Sequence, residues 1–326
     1  MSNVETIDVK TLPWLDAPRQ RLRAALQRDR LPAALLIQID PGLGGELLAR
    51  WCAAALFCTA TEAGEPCGRC IDCRRVASGE QPDLLLLAPL EESKEIKIDQ
   101  VREAARELAL TSHSGRRKVV IISPADKLNR NAANALLKTL EEPAGAATLM
   151  LVTGVASRLP QTVQSRCMRV TCAPPATATL VGWLTARGGA AAADWAAALA
   201  LHDGRPLAVL GADPVALAGL QRDTHRVLDQ ALQGALDPVE TAEAWARDEP
   251  ALRVAAIGAW LRERIDEWAS GRRKLDGRAL LESEESLREL HGWLDSPINK
   301  ALALERLLWR LGTIVPRAST PNRHRG

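Results

Sequence analysis

Five short apolar runs punctuate the first half of the chain, at residues 33–39, 83–88, 118–123, 147–153 and 167–172, each about the length of a strand and flanked by turn residues. Runs that stay apolar rather than alternating read as strands covered on both faces, the habit of a parallel sheet. Between them the spacing becomes helical. Residues 46–57 follow a glycine-rich turn, 100–110 start behind Asp99 as an N-cap, and 131–141 stop before Pro143. Strands alternating with helices predict an α/β fold with helices on both faces of the sheet.

The pattern changes at "CAPPAT", residues 172–177, after which Ala, Leu, Trp and Arg recur with helical period and no further strand is expected. A first domain of residues 1–173 is therefore expected, followed by a short helical domain, 174–213, that ends at the turn "GADP". A longer helical domain, 214–316, follows, and residues 317–326 form a basic tail expected to be disordered. The alanine-rich run 189–200 reads as a helix without chemistry of its own. In "INKALALERLLWRL", residues 298–311, the leucine-rich face suits an internal core and a partner helix equally.

Composition narrows the function classes. With 326 residues, 47% hydrophobic and 25% charged, the chain has an ordinary globular make-up with enough core for two or three domains. A net charge of +2 argues against a large basic surface for nucleic acid. No apolar run approaches the ~18 residues of a membrane span, and the polar start "MSNVETIDVK" lacks the build of a secretion signal, so the cytoplasm is expected.

Two groups of residues carry candidate chemistry. Cys67, Cys70 and Cys73 form C-x-x-C-x-x-C, and Cys58 precedes them in a loop rich in Gly, Pro and polar residues. Four thiolates on tight turns are the ligand set of a closed tetrahedral zinc site, which leaves no position for an activated water and is therefore structural. Cys52 and Cys172 read as buried packing residues.

The other group is the turn after the first apolar run, "IDPGLGGE" at residues 39–46, which has the outline of a phosphate-binding loop. A working loop reads G-x-x-x-x-G-K-[ST]: backbone amides cradle the phosphates, the lysine reaches their oxygens and the hydroxyl holds magnesium. Gly42 and Gly44 are present, but Gly45 stands where the lysine belongs and Glu46 where the hydroxyl belongs. A carboxylate there would repel phosphate. The acids that should end the neighbouring strand, to hold magnesium and orient water, are replaced by Ser123 and Pro124, and Asp126 reads as a turn or cap residue.

Taken together, the glycine turn, the four-cysteine insertion and the stretch "KVVIISPADKLNRNAANALLKTLEEPAGAATLMLVTGVASRLPQTVQSRC" closely resemble the clamp-loader subunits of bacterial DNA polymerase III, which are AAA+ proteins. The resemblance covers the first domain, and the later helices fit the family's lid and collar domains by pattern alone. It implies a P-loop-type parallel sheet with an inserted zinc module, followed by two all-α domains. The family includes the gamma/tau ATPases and a related subunit type that does not hydrolyse ATP. The departures at Gly45, Glu46, Ser123 and Pro124 assign this chain to the second type, with zinc as its cofactor and no ATP productively bound. Arg166, in Ser165-Arg166-Cys167, is implied to be an arginine finger that reaches the nucleotide of a neighbouring subunit. The implied partners are gamma/tau and delta subunits in a heteropentameric ring, and through it the beta sliding clamp and primed DNA. Two other readings stay open: an active clamp-loader ATPase with an unusual loop, and a zinc-dependent DNA-binding protein on an AAA+-like scaffold.

Overall fold

The computed structural model describes residues 7–91, 93–113, 115–143, 145–294 and 299–315, so the basic tail and Ile298 lie outside the described residues. The chain divides into two compact units, Met1–Ala176 and Thr177–Gly326.

The first unit is built on a five-stranded sheet in the order β2-β3-β4-β1-β5. Its strands are β1 (Ala34–Gln38), β2 (Leu84–Leu87), β3 (Lys118–Ile122), β4 (Ala147–Thr153) and β5 (Met168–Thr171), and every pairing is parallel. All five apolar runs became strands, four of them shorter by a residue or two than the run itself. Burial follows position in the sheet. Every residue of β3 and β4 is buried, whereas edge strand β5 buries only Val170 and edge strand β2 leaves Leu86 exposed.

Six helices accompany the sheet: α1 (Asp16–Gln27), α2 (Gly45–Phe57), α3 (Ile71–Ser78), α4 (Ile98–Ala109), α5 (Arg130–Glu141) and α6 (Gln161–Gln164). Helix α1 was not anticipated, because it buries only Pro18 and Leu22 and its remaining surface is rich in arginine. Helix α5 starts where the Asn129 side chain accepts from the Ala132 amide at 2.9 Å. It lays Leu136 and Leu140 into the core and leaves Lys138, Glu141 and Glu142 exposed. The expected N-cap of α4 is corrected. Lys97 holds that position, its amide donating to the Gln100 carboxamide at 3.0 Å, and Asp99 lies in the first turn, where the helix dipole favours an anion.

The second unit is helical throughout its described residues: α7 (Thr177–Gly188), α8 (Ala192–Leu201), α9 (Pro214–Leu232), α10 (Pro238–Arg247), α11 (Pro250–Ala269), α12 (Gly277–Trp293) and α13 (Lys300–Leu311). Asp213, Asp237 and Asp276 each cap a helix through side-chain acceptance, and proline follows the first two at the position where its missing N–H is harmless. The core gathers Leu228, Trp245, Ile257, Trp260 and the α13 leucines 304, 307, 308 and 311. Those leucines therefore pack within the unit, while Leu302 and Trp309 stay exposed. Among the described residues no helix is long and apolar enough to cross a membrane.

Candidate functional site

The glycine turn sits between β1 and α2, at the edge of the sheet where the strands end, the place where open α/β sheets bind ligands. Gly42 and Gly44 adopt φ of 77° and 88°, a left-handed backbone that suits glycine, so the loop keeps the turn of a phosphate cradle. The lysine position of the motif is crowded. A Cβ built on Gly45 would lie 2.4 Å from Ile39 Cγ2 and 2.7 Å from Val152 Cγ1, so no side chain fits at the lysine position as the loop stands. The Trp14 indole donates to the Leu43 carbonyl at 2.8 Å, and Leu43 is buried. Glu46 lies in the first turn of α2, where the dipole favours a negative charge, and accepts from Arg50 Nε at 2.9 Å.

Ile39 was missed in reading the sequence, although a signal was available. Counting back through G-x-x-x-x-G from Gly44 puts Ile39 at the motif's first glycine. Trp14 gave no such signal, since nothing local ties it to a loop 29 residues away. Beside the loop, Ser123 and Pro124 follow β3 as expected. Asp126 lies in a short 3-10 turn, Ala125–Lys127, and its carboxylate accepts from the Thr153 hydroxyl at 2.9 Å, with Arg158 at 3.8 Å. It ties the end of β3 to the end of β4.

Arg166 occupies the opposite edge. It precedes β5, whose Met168 pairs with Leu35 near the start of β1, whereas the glycine turn follows the end of β1. Five residues of strand at about 3.3 Å each separate the two edges by roughly 16 Å. The guanidinium is paired with Glu141 at the end of α5, and its Nη1 donates to the Thr162 carbonyl at 2.8 Å. Ser165 donates to the same carbonyl at 3.2 Å. Cys167 is half-buried, its thiol pushed up to about 11 by burial. Arg169 is engaged elsewhere, donating to Gln164 at 2.7 Å.

The four cysteines of the insertion converge, their sulfurs all within 4.8 Å of one another, a cluster that could hold a metal ion. Backbone amides prepare the thiolates: Cys67 N–H donates to Cys58 Sγ at 3.3 Å, Cys70 N–H to Cys67 Sγ at 3.3 Å and Cys73 N–H to Cys70 Sγ at 3.4 Å. Burial resists ionisation of Cys70, yet the amides of Cys73 and Thr59 bring its thiol down to about 6. Burial raises Cys58 and Cys73. A cation shared by the sulfurs is what would ionise all four together. Cys52 and Cys172 lie apart, buried, with thiols pushed up to about 12 and about 11 by that burial.

Glu65, in the same loop, was also missed. It accepts from Arg19 at 3.0 Å and from the Trp51 indole at 3.2 Å, and Lys10 stands at 3.4 Å. Arg23 and Gln27 donate to the neighbouring Ala63 carbonyl at 2.9 and 2.6 Å. The cysteine loop is thus fastened to α1 and α2 by charged and polar groups that only the folded chain brings together.

A sequence profile of the family described as "DNA polymerase III, delta subunit" matches residues 15–176. The DNA polymerase III subunit delta' of Pseudomonas aeruginosa is 40% identical over 53% of this chain and 52% of its own length. That of Escherichia coli is 37% identical over 61% of this chain and 59% of its own. Over its first half the chain is similar to the delta' subunits of DNA polymerase III. The chain spans only about half to three-fifths of the length of these delta' relatives. The likeness extends more weakly to the DNA polymerase III subunit tau of Escherichia coli, 32% identical over 45% of this chain and 23% of that one. The residues matched by the family profile lie in the first unit, which carries the sheet, the cysteine cluster and Arg166.

Proposed function

We propose that this chain is a non-hydrolysing delta' subunit of the DNA polymerase III clamp loader, acting in the cytoplasm at the replisome. In a heteropentameric ring with gamma/tau ATPases and a delta subunit, it helps place the beta sliding clamp on primed DNA. The observation that carries the reading is the contrast between the sheet edges. Where ATP would bind, Ile39 and Val152 fill the space above Gly45, and Glu46 supplies the negative charge at the helix terminus. Arg166 lies at the far edge, out of reach of its own loop. A guanidinium so placed can serve only a nucleotide held by a neighbour, where it stabilises charge on the phosphoryl oxygens in transfer.

The cysteine cluster fits zinc. Thiolates at about 2.3 Å from the ion stand ~3.8 Å apart in a tetrahedron, and the Sγ atoms of Cys58 and Cys70 are 4.0 Å apart. Cys58, Cys67, Cys70 and Cys73 would fill the coordination sphere, so the ion would fasten the loop rather than activate water. In the second unit, residues 174–213 are assigned to a lid and 214–316 to a collar that packs in the ring, with exposed Leu302 and Trp309 offering surface to a neighbour.

Reconstitution with gamma/tau and delta subunits tests the reading. Rings carrying Arg166→Ala should assemble normally and lose DNA-stimulated ATP hydrolysis; hydrolysis at the unmutated rate would show that the finger is wrongly assigned. Turnover of Mg-ATP by the purified chain alone would favour the active-ATPase alternative.

A further inference from the structure

Helix α5 ends on two consecutive acids, Glu141 and Glu142, at the terminus where unpaired carbonyls already concentrate negative charge. Anions there oppose the helix dipole. An arginine answers them from another element. Arg166, just beyond α6, pairs through Nη2 with Glu141, while its Nη1 donates to the Thr162 carbonyl at 2.8 Å. Two terminal nitrogens are thus held by two acceptors from different helices, and a guanidinium has five N–H groups, so donors remain for a ligand.

We propose that Glu141 is a positioning residue for Arg166, fixing the guanidinium in one rotamer at the sheet edge before a neighbouring subunit docks. This inference rests on the trans-acting role proposed above for Arg166. An arginine loses much rotamer freedom when ordered, and a side chain ordered in advance spares the encounter that loss. Sites that act on phosphoryl charge depend on groups locked by supporting hydrogen bonds. Glu141 is half exposed, so the pair contributes little to folding and its removal leaves the helix intact.

A double-mutant cycle in reconstituted rings provides the test, using Glu141→Gln, Arg166→Ala and the combination, with kcat and KM for DNA-stimulated ATP hydrolysis as readouts. Glu141→Gln should lower kcat about two- to fivefold with KM for ATP unchanged. In the Arg166→Ala background it should have no further effect, because it acts through the arginine. An unchanged or raised kcat for Glu141→Gln, or a loss that persists without Arg166, would overturn the inference. If Arg166→Ala alone leaves hydrolysis unaltered, the finger itself is wrong and the question for Glu141 falls with it. Ring assembly and melting temperature of Glu141→Gln should match the unmutated subunit.

Discussion

The two edges of one sheet are built in opposite ways. At the end of β1 the chain keeps a glycine turn with the outline of a phosphate cradle, but Ile39 and Val152 crowd the position of its lysine, Leu43 is buried and Glu46 places an anion in the first turn of α2. At the start of β5 it keeps a cation at the surface, supported by Glu141 and Thr162 but not buried. The turn therefore leaves no room for a side chain at Gly45. Ile39 and Val152 crowd that position, whereas the Arg166 guanidinium stays accessible.

The largest effect should come from the exposed edge. Removing a trans arginine finger lowers hydrolysis by roughly 10³-fold or more. Arg166→Lys sharpens the point, since lysine keeps the charge but lacks the planar fork. We expect rings with Arg166→Lys to fall nearly as far as those with Arg166→Ala in DNA-stimulated ATPase assays. Retention of most activity by the lysine variant would mean that only charge matters at this edge.

Removing the zinc proposed for Cys58, Cys67, Cys70 and Cys73 comes next, and should act on one side of the molecule only. Glu65 and Ala63 couple the cysteine loop to Arg19, Arg23 and Gln27 of α1 and to Trp51 of α2. Stripping the ion with a chelator, or replacing Cys73 by Ser, should lower the melting temperature and accelerate amide exchange across residues 16–78, leaving α5 and α6 protected. Acid should do the same, because protons compete with the ion for the thiolates. Equal loss of protection in α5 and α6 would show that the edges are not mechanically separate.

A smaller loss should follow from trying to restore the cradle. Gly45→Lys must displace both Ile39 and Val152, and overpacking of that kind costs about 1–3 kcal/mol. We expect lower stability in denaturant and no ATP binding by calorimetry. Combining it with Ile39→Gly, Val152→Ala and Glu46→Thr should recover stability relative to the single variant and yield measurable Mg-ATP affinity. ATP binding by Gly45→Lys alone would show that the cradle was merely unarmed and not filled.

How much of this was legible in the sequence depended on the range of the interactions. The five strands could be read because unbroken apolar runs of strand length have few other uses, and the cysteine cluster because its spacing is local. Asp99 was misplaced by two positions at the start of α4, since a lysine backbone capped by Gln100 has no signature in residue type. Trp14, Val152 and Glu65 act across 14 residues or more, through contacts that exist only once the sheet is assembled. Arg166 stands in a recognisable motif, but no local signal in the sequence ties it to its partner Glu141 on another helix. The sequence left the α13 leucines open between core and partner; packing assigned them to the core, because four of them meet Trp245 and Trp260 from the same unit.

The smallest effect separates the edges most cleanly. Glu46 and Arg50 form an i,i+4 pair at 2.9 Å on α2, and Glu46 also meets the positive end of that helix. Both groups are partly exposed, so Glu46→Gln should reduce stability by at most about 1 kcal/mol, since such pairs and dipole contacts are screened by water. Relieving the charge would also remove the repulsion that a phosphate would meet, yet no nucleotide affinity should appear, because the volume above Gly45 remains occupied. In reconstituted rings Glu46→Gln should hydrolyse ATP at the unmutated rate, in contrast to Glu141→Gln, an equally modest change of Glu to Gln at the other edge. Two substitutions of identical chemistry would then differ only in which edge of the sheet they touch. Should Glu46→Gln change ring hydrolysis as much as Glu141→Gln does, the filled edge still communicates with the neighbour's nucleotide, and the division of labour drawn here would fail.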